Sequence, residues 1–158
     1  MDIRAVDATN AHDAWDMFCA LCKEQGTERY ISADAEKFCH ALCLPDAVLR
    51  GLVAKDGDEY IGVVFYFLGA SPYAASSFLH FMGLYIKPSC RNSGVAKALM
   101  KELSVRALEK NCQYIRWAVV KENRSAISYY EHFGFHPDPD PLLDYTEDLD
   151  VFIKSLNA

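Results

Sequence analysis

The stretch whose residue types and spacing suit an anion is Leu84-Tyr85-Ile86-Lys87-Pro88-Ser89-Cys90-Arg91-Asn92-Ser93-Gly94-Val95-Ala96. An aromatic and aliphatic run stops at Pro88, a short loop turns, and a helical pattern opens among small residues at Gly94, Ala96 and Ala98. Backbone N–H groups in the first turn of a helix lack partners, and the helix dipole adds partial positive charge there. Such an end suits a phosphate or pyrophosphate. Arg91 would add a cation, and Gly94 would let the backbone come close to a ligand. Taken alone the pattern is weak, because an ordinary helix start has the same form.

A second stretch strengthens it. Asn123-Arg124-Ser125-Ala126-Ile127-Ser128-Tyr129-Tyr130-Glu131-His132-Phe133-Gly134-Phe135 follows later in the chain, after one more strand-like segment. Together the two stretches resemble the GNAT superfamily of acetyl-CoA-dependent N-acetyltransferases. The first is similar to that family's R/Q-x-x-G-x-G/A loop, the second to its N-x-x-A-x-x-x-Y-E-x-x-G-F helix. The likeness runs from roughly Tyr60 to Phe135, about half of the chain.

The resemblance implies roles residue by residue. Arg91, Asn92, Ser93, Gly94, Val95 and Ala96 would cradle the pyrophosphate of acetyl-CoA. Leu84 and Ile86 would offer backbone to the pantetheine arm, and Asn123 would contact the same arm. Tyr130 matches the tyrosine that protonates the departing thiolate. Asn92 stands where the family usually has Gly, and Asn tolerates left-handed backbone angles better than most residues. The Phe65-Tyr66-Phe67 run and the Pro72-Tyr73 turn also resemble the spermidine/spermine N-acetyltransferase branch. That branch carries a Glu-Asp pair where this chain has Met82 and Gly83, which weighs against a strict polyamine specificity. His80 shares a strand face with Met82 by alternation, so it is a candidate base for the amine and equally a candidate structural residue. No metal is implied.

The elements that must position these groups can be read in order. Ile3 to Val6 reads as a strand, and Thr9 or Asn10 caps a helix that Gly26 ends. Ser32 opens a second helix, followed by strands over Val48–Ala54 and Tyr60–Leu68 around a Lys55–Asp58 turn. Gly69 to Ser77 reads as a loop, Phe78–Lys87 as a strand, and Gly94–Lys110 as a helix. Gln113–Val120 is the next strand and Asn123–Phe133 the next helix, with late strands at Leu142–Thr146 and Val151–Leu156. The order predicts one α/β domain over residues 1–158: a mixed sheet of about six to seven strands flanked by about four helices, a GNAT fold.

Composition bounds the rest. The chain has 158 residues, is 51% hydrophobic and carries a net charge of -6, which suits a single packed core and excludes disorder. A pI near 5.3 argues against nucleic-acid binding, and no apolar run approaches the ~20 residues of a membrane span. No leader is readable at the start, and with six cysteines outside any secretory context the expectation is cytoplasmic and reduced. Cys19, Cys22, Cys39 and Cys43 have ligand-like spacing but continue apolar helical stripes, so core packing is favoured over zinc or a disulfide. Acids crowd Asp138, Asp140, Asp144, Glu147, Asp148 and Asp150, while Lys87, Arg91, Lys97, Lys101, Lys121 and Arg124 surround the two motifs. That asymmetry suits an anionic cofactor and a small-molecule amine acceptor, polyamine-like or amino-acid-like. The alternatives are a non-catalytic acyl-CoA-binding module and a protein or peptide N-acetyltransferase. Apolar Val151, Phe152, Ile153 and Leu156 suggest a homodimer.

Overall fold

A computed structural model describes residues 1–135, and its contacts group into two units, Met1–Val120 and Lys121–Ala158. In the first unit β1 (Asp2–Ala5), β2 (Arg50–Asp56), β3 (Glu59–Ser71), β4 (Ser76–Ile86) and β5 (Cys112–Trp117) form one sheet in the order 1-2-3-4-5. The first four strands pair antiparallel, whereas β4 and β5 are parallel. A parallel pair needs a crossover, and α3 (Val95–Glu109) supplies it. Helices α1 (Ala11–Gln25) and α2 (Ala35–Cys43) pack on the opposite face of the sheet from α3, and α4 (Arg124–His132) belongs to the second unit. Both sheet faces are therefore covered around the middle of β3. This is why Ile61-Gly62-Val63-Val64-Phe65-Tyr66 is buried without interruption instead of alternating.

Under α1 and α2 lies an aromatic core in which Trp15, Phe18 and Phe38 meet Phe65 of β3. Phe18 and Phe38 stack at 5.4 Å, and each meets Phe65 edge-on. Leu52, Leu79, Leu99 and Leu103 are fully buried, each contributing about 1.5–3 kcal/mol of apolar burial.

The element order matches the reading of the sequence as far as α4, and five strands lie among the described residues. The late strands expected at Leu142–Thr146 and Val151–Leu156 fall outside them. Several boundaries moved: β2 runs over Arg50–Asp56, not Val48–Ala54, and β5 ends at Trp117, not Val120. Helix α2 starts at Ala35, not Ser32, because the Asp34 carboxylate accepts the Lys37 N–H at 2.8 Å and caps it there. The loop expected over Gly69–Ser77 shrinks to residues 72–75, since the two strands pair out to Ser71 and Ser76. Gly69 permits this, as a side chain there would run into the Phe78 ring.

All six cysteines are free thiols. Cys22 is buried and Cys39 packs against the aromatic core, as the apolar stripes implied, but Cys43 is exposed at the end of α2. Among the described residues no three His, Cys, Asp or Glu side chains are grouped to hold a metal ion, and no helix is long and apolar enough to cross a membrane.

Candidate active site

The turn from β4 into α3 is built by two left-handed residues. Asn92 has φ 60 and Gly94 has φ 86, so the chain reverses twice before Val95 starts the helix. Asn92 thus adopts the conformation expected of a Gly substitute. A short 3-10 turn over Pro88–Cys90 leads in, closed by Cys90 N–H to the Lys87 carbonyl at 2.8 Å, and the Ser93 hydroxyl donates to the Cys90 carbonyl. Residues 91–94 are exposed, and a Cβ on Gly94 would meet nothing within 4 Å. The backbone at the start of α3 is consequently open to an approaching anion.

What seats this loop is a glycine that the sequence reading passed over. Val95 is buried, and a Cβ on Gly62 of β3 would lie 2.8 Å from Ile86 Cδ1 and 3.1 Å from Val95 Cγ1. Bare backbone at Gly62 lets the start of α3 and the end of β4 settle onto the sheet together. Ala96 is half-buried in the first turn of α3.

Arg91 is held from three sides. Its Nε donates to the Ile86 carbonyl at 3.1 Å, one terminal nitrogen reaches both Glu24 oxygens at 2.7 and 2.8 Å, and the cation lies 5.8 Å from the Tyr85 ring centre. Glu24 stands in the last turn of α1, 67 residues earlier in the chain. Arg91 therefore ties the loop to α1 as well as placing positive charge beside it. Both partners are over two-fifths exposed, so the pair stabilises the fold by at most about 1 kcal/mol, and its effect is mainly positional.

Strand β4 kinks one residue after its pairing with β5 stops. The last β4–β5 partners are Phe81 and Trp117, so Met82–Ile86 continue with no strand on that side among the described residues. At the same level the β3 register jumps: Phe65 faces Met82 and Val63 faces Tyr85, leaving Gly83 and Leu84 opposite Val64 alone. This is a β-bulge, and Gly83 sits in it at φ 62. Its consequence is a change of face. Met82 lies on the α1–α2 side opposite Phe65, whereas half-buried Leu84 and buried Ile86 turn the other way, Ile86 reaching Val95's neighbour Gly62. Pairing of β4 with β5 thus ends just before the bend, and the β5-side edge of Met82–Ile86 has no strand partner among the described residues.

His80 lies on β4 before that bend. It pairs with Phe67 on β3 and Arg116 on β5, and its ring stacks on Phe67 at 5.0 Å. Burial first, and the Arg116 guanidinium second, hold its pKa below the ordinary 6.5. It is neutral near pH 7, as a proton acceptor must be.

The other two predicted groups stand in the second unit. Asn123 caps α4, its side-chain oxygen accepting the Ala126 N–H at 3.1 Å, a bond that leaves its amide N–H groups uncommitted to the cap. Tyr130 is buried on α4 with its ring 5.6 Å from that of Tyr129. Burial, with Tyr129 beside it, pushes its hydroxyl up to about 12. The phenol keeps its proton at any physiological pH.

Residues 15–135, which take in this strand, loop and helix start, match the model of the acetyltransferase (GNAT) family. The chain belongs to the GNAT family. Two curated GNAT relatives are thialysine N-epsilon-acetyltransferases: that of Caenorhabditis elegans is 31% identical over 88 residues, and that of Bos taurus 26% over 92. These alignments take in 56% and 58% of this chain, and the chain spans about half the length of the relatives, 54% in each case. Among solved structures, an integron cassette protein of V. cholerae superposes with a TM-score of 0.78 at 20% identity, over 98% of this chain and 96% of that one. An aminoglycoside N-acetyltransferase solved with CoA superposes at 0.74 and 18% identity, over 92% of this chain and 93% of that one. At such identities these likenesses bear on the fold, which is the GNAT fold.

Within that fold the missing Glu-Asp pair of the polyamine branch has a structural counterpart. Gly83 takes a backbone angle that side chains rarely adopt, and a Cβ there would come within 3.0 Å of Phe65 Cδ2. The bulge of this chain is built around a glycine, not around an acid. Sequence reasoning placed the loop before a helix start, as the structure has it, but missed the Glu24 contact to Arg91, the place of Gly62 beneath Val95, and Arg116 beside His80. Only Gly62 left a local signal, an isolated glycine inside a strand pattern.

Proposed function

We propose that this chain transfers the acetyl group of acetyl-CoA to a primary amine of a small molecule, polyamine-like or amino-acid-like, in a ternary complex. The observation that carries this reading is the end of β4–β5 pairing beside β4, shortly before an exposed loop, residues 91–94, whose backbone reverses at Asn92 and Gly94 ahead of α3. Names of the relatives, thialysine N-epsilon-acetyltransferases, support an amine acceptor.

In this scheme the pyrophosphate rests on the backbone of Asn92, Ser93, Gly94, Val95 and Ala96, with Arg91 contributing charge from the side. The pantetheine arm runs along Leu84 and Ile86, and Asn123 donates to it from its free amide hydrogens. An ammonium has no lone pair, so the acceptor first gives a proton to neutral His80, directly or through water. Its nitrogen then attacks the thioester carbonyl. A C–N bond forms, the carbonyl electrons move onto oxygen under backbone N–H donors of β4, and collapse breaks the C–S bond. Tyr130 gives its proton to the leaving thiolate and regains one from the new amide nitrogen, directly or through water, while His80 passes its proton to solvent; the products are the acetylated amine and free coenzyme A. No metal takes part. The setting is the cytoplasm, the chain acts as a homodimer, and residues 1–158 work as one domain.

The test is release of coenzyme A thiol across a panel of primary amines, with the acetylated product weighed by mass spectrometry. Stoichiometric thiol and N-acetyl product are expected. Tight acetyl-CoA binding with no thiol released over any amine would instead make the chain an acyl-CoA-binding module.

A further inference from the structure

On the face of the sheet that carries α1 and α2, the residues of the aromatic core end at Phe65. Beyond it the same face continues through Phe67 on β3, Phe78 and His80 on β4, and Tyr114 and Arg116 on β5. The four ring-bearing residues other than Arg116's neighbour Trp117 pair off as flat stacks: Phe67 on His80 at 5.0 Å and Phe78 on Tyr114 at 5.3 Å. All four are only half-buried, and Gly69 lets the Phe78 ring lie flat by having no side chain of its own. Arg116 is exposed above this floor, its guanidinium 5.7 Å from the Phe78 ring centre. Among the described residues no carboxylate forms an ion pair with it, as with Arg29, Arg50 and Arg124, while Arg4 and Arg91 each have one and Arg106 has two. None of Phe67, Gly69, Phe78, His80, Met82, Tyr114 and Arg116 is acidic.

Arg116 also stands one residue before the last β4–β5 partners, where the pairing ends and the thioester would lie. A guanidinium that no described carboxylate pairs with, over an aromatic floor, matches a carboxylate on a partly apolar molecule, since its planar fork donates to two carboxylate oxygens at once. A bare di- or polyamine brings no carboxylate for the guanidinium, and its ammonium groups are repelled by Arg116. We infer that Arg116 and the Phe67, Phe78, His80 and Tyr114 floor form an acceptor subsite that takes the carboxylate of an amine substrate. Arg116 is then the specificity-determining residue that selects an amino-acid-like acceptor over a polyamine. This rests on the acetyl-transfer reading, because the subsite is placed by the end of β4–β5 pairing.

The experiment uses acceptors that differ by the carboxylate alone: lysine against cadaverine, and ornithine against putrescine. Wild type is expected to favour the carboxylate-bearing member of a pair at least ~10-fold in kcat/KM, about the scale of one charge-assisted pairing. Arg116→Gln should erase the kcat/KM difference between the members of each pair by raising KM for lysine or ornithine, with KM for acetyl-CoA unchanged, while the accompanying change at His80 acts alike on both members. Arg116→Lys should restore part of it. Equal losses for both members of a pair, or a wild-type preference for diamines, overturn the subsite while leaving acetyl transfer intact. Calorimetry of lysine and ornithine on the CoA-loaded chain separates the two readings. Arg116-dependent binding with no turnover of any amine would sink acetyl transfer and keep the subsite, and neither binding nor turnover would sink both.

Discussion

Two side chains set the pH behaviour expected of the proposed reaction, and they fail in opposite directions. His80 has to be neutral to accept a proton, and its pKa is held below the ordinary 6.5 by burial and by Arg116. Lowering pH through the region beneath 6.5 should therefore charge it and give kcat/KM an acidic limb there. His80→Gln should remove or displace that limb, and a limb unchanged in the variant would reduce His80 to a stacking partner of Phe67. Tyr130 has to be protonated, and with its hydroxyl pushed up to about 12 it contributes no alkaline limb below about pH 11. A phenol so reluctant to ionise is a weaker acid than an ordinary thiol near ~8.5, so it donates well only to a thiolate that is itself desolvated. Tyr130→Phe removes one hydroxyl from a buried ring, and turnover should fall ~10²–10⁴-fold with acetyl-CoA affinity nearly unchanged. Turnover near that of wild type in this variant would defeat the proton path.

At the scale of elements, the bulge in β4 decides which way the residues before the loop point. Its glycine is testable by itself. Gly83→Ala forces a left-handed angle on a residue with a Cβ, at a position only 3.0 Å from Phe65 Cδ2. The expected loss is about 1–2 kcal/mol in chemical denaturation, accompanied by lower turnover because Leu84 and Ile86 shift. Unaltered stability would mean that the bulge relaxes freely and positions nothing. This element also shows what a sequence discloses. The strand, loop and helix around Arg91 and Gly94 were legible because each depends on local chemistry: β-branched and aromatic runs, a proline stop, a small-residue helix start. Gly83 was legible only as a departure from the polyamine branch, since a bulge is defined by the partner strand's register and not by its own residues. Arg91 was read as a phosphate ligand, while its ion pair with Glu24 spans 67 residues and leaves no periodicity to detect. Cys43 was assigned to an apolar stripe, yet it falls in the final turn of α2, where the stripe has run past the core.

For the molecule as a whole, charge and association are linked. The chain holds 22 acidic against 16 basic residues, a net charge of -6, so two copies repel each other at long range. Any association would then come from apolar surface, and the sequence offers Val151, Phe152, Ile153 and Leu156, which lie outside the described residues. A two-fold dimer would use the same patch on both copies, which requires it to complement itself. Two outcomes separate this from attraction between charges. Light scattering should report twice the 17.8 kDa chain mass at micromolar concentration. Raising ionic strength from ~0.05 M to ~0.5 M should leave the dimer intact or tighten it, since salt screens the repulsion and not the apolar contact. Phe152→Asp should return the chain to 17.8 kDa without changing its secondary structure by circular dichroism. A wild-type mass of 17.8 kDa at high micromolar concentration would exclude the dimer, and a dimer that dissociates as salt rises would place its contacts among charged residues elsewhere.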